Sequence, residues 1–494
     1  MSTRRLLGWA LGGQASSFVV TLLGSIILAR LLSPREMCVY AIAVATVGIL
    51  SILSTAGPAS YVIREKEMPE LRLRTAMTIT FGLNTLIDIA IFAVSFRAGP
   101  WLGDPGVGPV LRCLAIIPMI QILEFRPAAM MQREMQFRAS TTIATLTALL
   151  TSGGQVTLAW FGYSYMSMAY ASMAAAVFSA VANNAVGRQH MGFRLSVYDW
   201  RPIAVFGARM LTISGVAALS WRICEVVLGK MLGLTALGLY SRASNISNMI
   251  FFNLYGTASR FAFTKLSKDY REHGSVAASF VMSLEIIVSV MWPLLAGGAI
   301  LAGPIIVTMY GIKWVDAAPV LSLLLTSQIV VLAFGMNWEL FVIHDQIDRQ
   351  TRYEAIRAVF GTTAFAIGCT FSISAAATGR IVEALFGLIL YLPSMSALSG
   401  VASSRIFRLY ARSGVLTVAA CLPSAILMWA QNWDPRTPLP LCLGSVALGV
   451  ALWLAALAVT RHPLIDEMRR FVRRGNKGEP QAAPVPRDYP LEMP

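Results

Sequence analysis

The sequence predicts an all-helical integral membrane protein with about fourteen transmembrane helices. Three observations predict this fold. Of the 494 residues, 56% are hydrophobic and 13% are charged, whereas about a quarter of the residues of an ordinary globular protein are charged. Apolar stretches long enough to cross about 30 Å of hydrocarbon as helices recur along the chain. Basic residues concentrate in alternate loops between these stretches, which is typical of polytopic membrane proteins.

The apolar stretches are predicted to be helices because they lack an alternating strand pattern and because backbone groups in lipid must be hydrogen-bonded within the segment. The predicted spans lie at residues 6–31, 37–62, 75–97, 107–131, 139–161, 164–187, 202–228, 233–262, 277–302, 316–343, 353–375, 380–402, 413–430 and 438–460.

The basic residues predict the orientation of these spans. One set of alternate loops holds most of the lysines and arginines. The other set holds only Arg35, Arg97, Lys230, Lys313, Arg380 and Arg436. Because positively charged loops stay in the cytoplasm, we expect both termini to be cytoplasmic in a multi-pass protein of the bacterial inner membrane. Residues 461–494 would form a basic, proline-rich cytoplasmic tail that lies partly on anionic headgroups.

The remaining composition argues against other classes of protein. The net charge of +15 comes from short loops, so it does not indicate nucleic-acid binding. The six cysteines are scattered singly without metal-site spacing. The chain contains no P-loop, no HExxH and no arrangement resembling a catalytic triad. We therefore expect no enzyme, no bound metal and no cofactor other than a coupling sodium ion or proton.

The two halves of the chain resemble each other. LARLLSPREMCVY, from Leu28, aligns with LGKMLGLTALGLY, from Leu228, and a Pro-Val-Leu sequence occurs at both Pro109 and Pro319. Six predicted spans separate the copies, so the halves share one orientation and would be related by a pseudo-two-fold axis along the membrane normal. We expect two six-helix lobes, at residues 1–187 and 202–402, two peripheral spans within 413–460, and a substrate between the lobes.

Arginines within the spans are the first candidate site residues, because a charge at mid-membrane costs roughly 2.5 to 3.5 kcal/mol on insertion scales. Arg242, Asn245, Asn253 and Arg260 share one helical face with Gly256. The two arginines are about 27 Å apart along the helix. They could act as successive stations for a pyrophosphate, which guanidinium groups bind in bidentate fashion. Independent snorkelling to headgroups is the alternative.

Arg209 lies about 10 Å inside its predicted span, without an acidic residue one helical turn away. It is therefore the best single candidate for a phosphate ligand. The alternative for Arg209 is an ion pair with Asp88 or Glu285 on another helix. Arg222 and Glu225, three residues apart, are expected to pair with each other.

Uncharged and acidic residues complete the candidate site. Gln14, Ser17, Thr21 and Ser25 share one face of the first span, where they could bind sugar hydroxyls or cavity water, or hold helices together. Asp88 and Glu285 lie within spans and are candidates for ion coupling, with a salt bridge as the alternative. Glu339 lies towards a cytoplasmic span end and Glu383 lies near Arg380, so we interpret both as interface residues.

At LARLLSPREMCVYAIAVA (Leu28 to Ala45) and LGLYSRASN (Leu237 to Asn245) the sequence resembles the polysaccharide transporter family, the Wzx-type oligosaccharide flippases of the multidrug/oligosaccharidyl-lipid/polysaccharide exporter superfamily. The resemblance covers most of residues 8–460, and its motifs are short. It departs at Cys38, where the family usually has glycine, and at Thr264, where proline is usual.

The resemblance implies two lobes around a central cavity. It also implies alternating-access transfer of a polyprenyl-pyrophosphate-linked oligosaccharide to the periplasmic leaflet, for surface or exopolysaccharide biosynthesis. Membrane lipids and a polymerase and co-polymerase of the same pathway would be its partners. A multidrug cation antiporter of the same fold would need a cavity dominated by carboxylates. A membrane polysaccharide polymerase or ligase would need a large periplasmic loop, and none is predicted.

Overall fold

The computed structural model describes residues 3–55, 58, 61–62, 68–134, 136–190, 192, 194–460 and 462, and for some of these only the backbone. Every regular element within this part of the chain is a helix. The first half contains α1 (Thr3–Leu31), α2 (Pro34–Thr55), α3 (Glu70–Leu102), α4 (Val107–Leu114), α5 (Ile117–Arg133), α6 (Phe137–Trp160), α7 (Met166–Val186) and a 3-10 turn at Arg188–His190.

The second half contains α8 (Trp200–Leu232), α9 (Leu234–His273), α10 (Ala277–Ile300), α11 (Ala302–Tyr310), a 3-10 segment (Ile312–Ala317), α12 (Ala318–Ala333), α13 (Asn337–Ile343), α14 (Ile347–Cys369), α15 (Ile373–Ser399), α16 (Ser403–Ala430) and α17 (Leu439–Val459).

Each predicted span overlaps one of these helices or a consecutive pair of them. The main differences are in length. For example, α9 contains 40 residues, or about 60 Å of helix, and continues well past the predicted end at residue 262. Nine helical segments in the described part of the chain are long and apolar enough to cross a membrane. The total of fourteen crossings stays a prediction.

Helix packing follows the same order in the two halves. In the first half α1 packs on α6, α6 on α7, α5 on α7 and α3 on α5. In the second half α8 packs on α14, α14 on α15, α12 on α15 and α10 on α12. Pro109 and Pro319 lie near the starts of α4 and α12, which pack on α2 and α9 respectively. This repetition gives two helical lobes. Helix α16 packs on α10, and α17 packs on α16, at the periphery.

The molecule has two chemically different ends. We call the end with the α5–α6, α9–α10 and α13–α14 connections the basic end, because Arg72, Arg126, Lys265, Lys268, Arg271, Arg349 and Arg352 lie near it. The opposite end contains the α1–α2 connection and Gly233. Arg72 pairs with Asp199 at 2.7 Å at the basic end, and Arg35 pairs with Asp104 at 2.8 Å at the opposite end.

Candidate functional site

Helix α9 carries a cationic group into the contact between the two lobes. The half-buried Arg242 donates from Nη1 to Ser25 Oγ on α1 at 2.8 Å. Tyr310, at the end of α11, lies close to the same guanidinium. The sequence indicated Arg242 as a phosphate ligand and Ser25 as a polar lining residue. The structure brings these two residues together.

The charge of Arg242 is not neutralised by an ion pair within the described part of the chain. A guanidinium has five N–H donors in a planar fork. Ser25 takes one of them and the Tyr310 hydroxyl is placed to take a second, which leaves donors of this fork for an anion.

Arg260 lies on the same helix nearer the basic end. Its side chain is exposed, and Nε donates to the Gly256 carbonyl oxygen at 2.9 Å. Asn245, between the two arginines, is also exposed. The exposed face of α9 therefore runs from the neighbourhood of Arg242 towards the basic end. The side chain of Asn253 lies outside the described residues.

The polar residues of α1 have different roles in the structure. Ser17 Oγ donates to Thr145 Oγ1 of α6 at 3.2 Å. Ser17 therefore holds two helices together, which is the second of the two roles that the sequence allowed for it. Thr21 Oγ1 donates to the Ser17 carbonyl oxygen at 2.8 Å within its own helix and remains exposed. Only Ser25 among the described members of this face bonds to the other lobe. The side chains of Gln14 and Arg209 lie outside the described residues.

Asp88 is at the middle of α3 and is not ion-paired with any described residue. Both of its carboxylate oxygens are buried without a hydrogen-bond partner in the described part of the chain, as are Asn84 Oδ1 and Thr85 Oγ1. Leu86 and Ile89, both 62% exposed, mark the outer face of α3, and Asp88 is turned away from that face. Four oxygen atoms without partners thus lie within one turn of α3, which suits a proton or a small cation.

Glu285 is ion-paired in the structure, which argues against a role in ion coupling. Its Oε1 lies 2.9 Å from Arg412 Nη1 of α16 and 3.2 Å from His462 Nε2. Glu285 thus forms the salt bridge that the sequence allowed as an alternative, and this salt bridge attaches the peripheral helix α16 to α10.

His462 stays neutral beside this ion pair. Burial of the ring and then the nearby Arg412 guanidinium lower the pKa of His462 to about 4. Its Nε2 is within hydrogen-bond distance of Ser289 Oγ at 3.0 Å.

The C-lobe contains a buried network that the interpretation of Glu383 as an interface residue missed. Arg357 Nη1 and Arg380 Nη1 each lie 2.7 Å from a Glu383 oxygen, and Arg357 also pairs with Glu354. Arg380 and Glu383 are 9% and 8% exposed. Because α15 begins at Ile373 and not at the predicted residue 380, Arg380 lies two turns inside the helix.

The lobes meet closely at the opposite end. Arg30 Nη2 donates to the Thr308 carbonyl oxygen at 2.7 Å, and Trp314 Nε1 donates to the Ala29 carbonyl oxygen at 2.8 Å. A Cβ atom at Gly238 would lie 2.7 Å from the Pro34 carbonyl oxygen, so glycine permits this approach of α9 to α2. Arg242 therefore lies just inside a region of tight contact between the lobes.

Comparison with protein families agrees with this architecture. A family model described as a polysaccharide biosynthesis protein matches residues 27–319. The lipopolysaccharide biosynthesis protein WzxC of Escherichia coli (strain K12) is 23% identical over 462 residues, which cover 91% of this chain and 92% of that protein. The succinoglycan biosynthesis transport protein ExoT of Rhizobium meliloti (strain 1021) is 22% identical over 494 residues and covers 97% of each chain.

Solved structures share the fold. The lipid II flippase MurJ, in an inward closed conformation, superposes with a TM-score of 0.71 over 92% of this chain and 99% of that chain, at 13% identity. A multidrug resistance transporter of the MATE family, in an inward-facing conformation, superposes with a TM-score of 0.61 over 79% of this chain and 99% of that chain, at 14% identity.

Proposed function

Because this chain belongs to the polysaccharide biosynthesis protein family, we propose that it flips a polyprenyl-pyrophosphate-linked oligosaccharide across the bacterial inner membrane for surface or exopolysaccharide biosynthesis. The names of WzxC and ExoT refer to lipopolysaccharide biosynthesis and succinoglycan transport. These names support a saccharide cargo and a transport activity over an enzymatic one. The fold shared with a lipid II flippase is compatible with a lipid-linked cargo.

The observation that carries this proposal is Arg242, which is half-buried between the lobes without a carboxylate partner in the described part of the chain. A pyrophosphate can take its free donors in bidentate fashion. A cationic drug would be repelled by the same group, so Arg242 favours the flippase over a multidrug cation antiporter.

The positive-inside rule supports the orientation. We assign the basic end and both termini to the cytoplasm and the opposite end to the periplasm. The hydrogen bonds of Arg30 and Trp314 then close the periplasmic side. The cargo would enter at the cytoplasmic side, meet the exposed Arg260 first, and reach Arg242 near the periplasmic closure. Arg209, on α8, remains a third proposed ligand for the pyrophosphate.

Release of the cargo requires the two lobes to separate at the periplasmic side while they approach at the cytoplasmic side. Asp88 is the proposed coupling residue, because an unpaired carboxylate in the middle of α3 is best stabilised by a sodium ion or a proton. A polymerase and a co-polymerase of the same pathway would receive the cargo in the periplasmic leaflet, and membrane lipids would surround the protein.

Reconstituted vesicles test this proposal. A polyprenyl-pyrophosphate oligosaccharide with a fluorescent sugar is placed in both leaflets, and flipping is measured as loss of protection from a membrane-impermeant quencher. We expect Arg242→Ala to reduce the flipping rate at least about tenfold, which corresponds to 1.4 kcal/mol, and Arg242→Lys to retain part of it. Arg97→Ala, at an exposed position at the end of α3, is the control. Unchanged flipping by Arg242→Ala would contradict the proposal.

A further inference from the structure

Glu339 is a deeply buried carboxylate for which the transport proposal has no role. It lies on α13, directly after the break in the helix between α12 and α13, and is 1% exposed. Its Oε1 accepts a hydrogen bond from Ser259 Oγ of α9. Its Oε2 is buried without a hydrogen-bond partner in the described part of the chain. Glu339 therefore bridges a broken helix and the helix that carries Arg242 and Arg260.

A second hydroxyl extends this contact along α9. Tyr255 lies one helical turn before Ser259, and its hydroxyl is buried without a hydrogen-bond partner in the described residues. The Tyr255 ring stacks on Phe251 with 5.2 Å between centroids. A Cβ atom at Gly335, within the break, would lie 3.0 Å from the Tyr255 hydroxyl. Tyr255, Ser259 and Glu339 thus form a line of ionisable and hydroxyl groups from α9 to the break.

Among the described residues, no charged group on a neighbouring helix forms an ion pair with Glu339. On α9, the adjacent Arg260 is exposed and hydrogen-bonded to Gly256. On α14 and α15, Arg357 and Arg380 pair with Glu354 and Glu383.

Within the described part of the chain, α13 itself (Asn337–Ile343) carries no charged residue other than Glu339. His344 Nδ1 is 2.9 Å from the Leu340 carbonyl oxygen, and its ring packs on Tyr270. Among the described residues, Glu339 therefore has hydroxyl neighbours and no ion pair.

A buried carboxylate without a cation is costly in its ionised form, because it loses hydration that a single hydroxyl does not replace. A proton removes this cost. A metal cation would need more oxygen ligands than one free carboxylate oxygen and one hydroxyl. We infer that Glu339 is a proton-binding site, with Ser259 and Tyr255 as its hydroxyl relay, and that its protonation controls the contact between α9 and α13.

The physical consequence is a two-state contact. The neutral carboxyl group holds Ser259 in a dry interface, whereas the ionised group requires water and favours separation of α9 from α13. Since α9 carries Arg242 and Arg260, the proton would couple to cargo binding. This last step rests on the proposed flippase function, and the proton site itself does not.

Infrared difference spectroscopy of the reconstituted full chain, titrated from about pH 4 to about pH 9 in the absence of glycan, tests the site. We expect a carboxyl carbonyl band that titrates in the wild type and is lost in Glu339→Gln. Ser259→Ala should keep the band and shift its midpoint. Glu124→Gln is the matched control, because Glu124 accepts hydrogen bonds from Ser179 and Asn183 and its removal should leave the band unchanged.

Several outcomes would overturn the inference. These are a titrating band that is unchanged in Glu339→Gln, or a Glu339-dependent band that responds to sodium at constant pH. If Glu339→Gln fails to fold, an unaltered midpoint in Ser259→Ala decides against the site. Because no glycan is present, these results are independent of whether the chain is a flippase.

The coupling is tested by spin labels at Lys268→Cys on α9 and Gln132→Cys on α5, both exposed at the basic end. We expect the distance between these labels to change with pH in the wild type and to stay constant in Glu339→Gln. A distance that changes equally in both proteins would contradict control of α9 by Glu339.

Discussion

The Arg242 guanidinium of α9 donates a hydrogen bond to the Ser25 hydroxyl of α1 at 2.8 Å. One interaction thus joins the two lobes and also engages the proposed pyrophosphate ligand. A phosphate oxygen is a stronger acceptor for guanidinium than a hydroxyl group is. Arrival of a pyrophosphate at Arg242 would therefore replace the bond to Ser25 and weaken the contact between the lobes from inside.

Ser25→Ala is expected to loosen the closed end without removing the phosphate ligand. A hydrogen bond to a charged group contributes about 1.5 to 3 kcal/mol, so the population with separated lobes should rise roughly tenfold or more. Spin labels at exposed positions of the α1–α2 connection and of α11 would report this change as a longer distance. Thr21→Ala, which removes a bond within α1 only, is the control. Equal distances in the two variants would contradict the role of Ser25.

Asp88→Asn is expected to make flipping insensitive to an imposed ion gradient. The amide cannot bind a proton, and it lacks the charge that attracts a cation, so the driving force no longer acts through α3. The measurement is flipping in vesicles with an inward or outward gradient of sodium or of protons. Glu285→Gln should retain the gradient dependence, because Glu285 is paired with Arg412. If flipping by Asp88→Asn depended on the gradient as strongly as in the wild type, Asp88 would not be the coupling residue.

Glu383→Gln is expected to destabilise the C-lobe strongly. Removing one partner of a buried ion pair costs about 3 to 5 kcal/mol, because the remaining charge is left without compensation. Here both Arg357 and Arg380 would lose a carboxylate oxygen at 2.7 Å. Thermal unfolding of the detergent-solubilised protein measures the loss. Glu225→Gln is the control. Glu225 pairs with Arg222 at 3.0 Å and its side chain is 29% exposed, against 11% for Glu383, so its removal should cost less than about 1 kcal/mol. A similar decrease in thermal stability in both variants would contradict the greater importance of the buried Glu383 ion pairs.

The stability of the protein is expected to decrease as the pH is lowered from about 6.5 to about 4. The pKa of His462 is about 4 in the folded protein, whereas an unfolded histidine titrates near its ordinary value of about 6.5. Between these values the unfolded state binds more protons, so lower pH favours unfolding. The midpoint of thermal unfolding at several pH values measures this effect.

His462→Asn should flatten that dependence, because asparagine does not titrate. His273→Asn, at the exposed end of α9, is the matched control and should retain it. A pH dependence of the same size in His462→Asn and wild type would show that another group is responsible.

The sequence predicted the helices and their approximate bounds because these properties depend on local composition. It also predicted the resemblance of the two halves, because the same short motifs recur in both. A run of about 20 apolar residues without strand alternation can satisfy its backbone hydrogen bonds in lipid as a helix, independently of its neighbours. The cationic face of α9 is equally local, since Arg242 and Arg260 share a face through helical geometry alone. Helix ends were less predictable, and the seven-residue difference at the start of α15 moved Arg380 from a predicted loop into the C-lobe.

The partners of the charged residues were decided by the tertiary structure. Glu285 and Arg412 are 127 residues apart in sequence, and Arg242 and Ser25 are 217 residues apart. The burial of Glu339 against Ser259 is likewise a tertiary contact, between residues 80 positions apart. The sequence shows that a charge lies within a span and is costly there, but it does not show whether that charge meets a counter-ion, a hydroxyl or a substrate. Only the packing of helices distant along the chain selects among these outcomes.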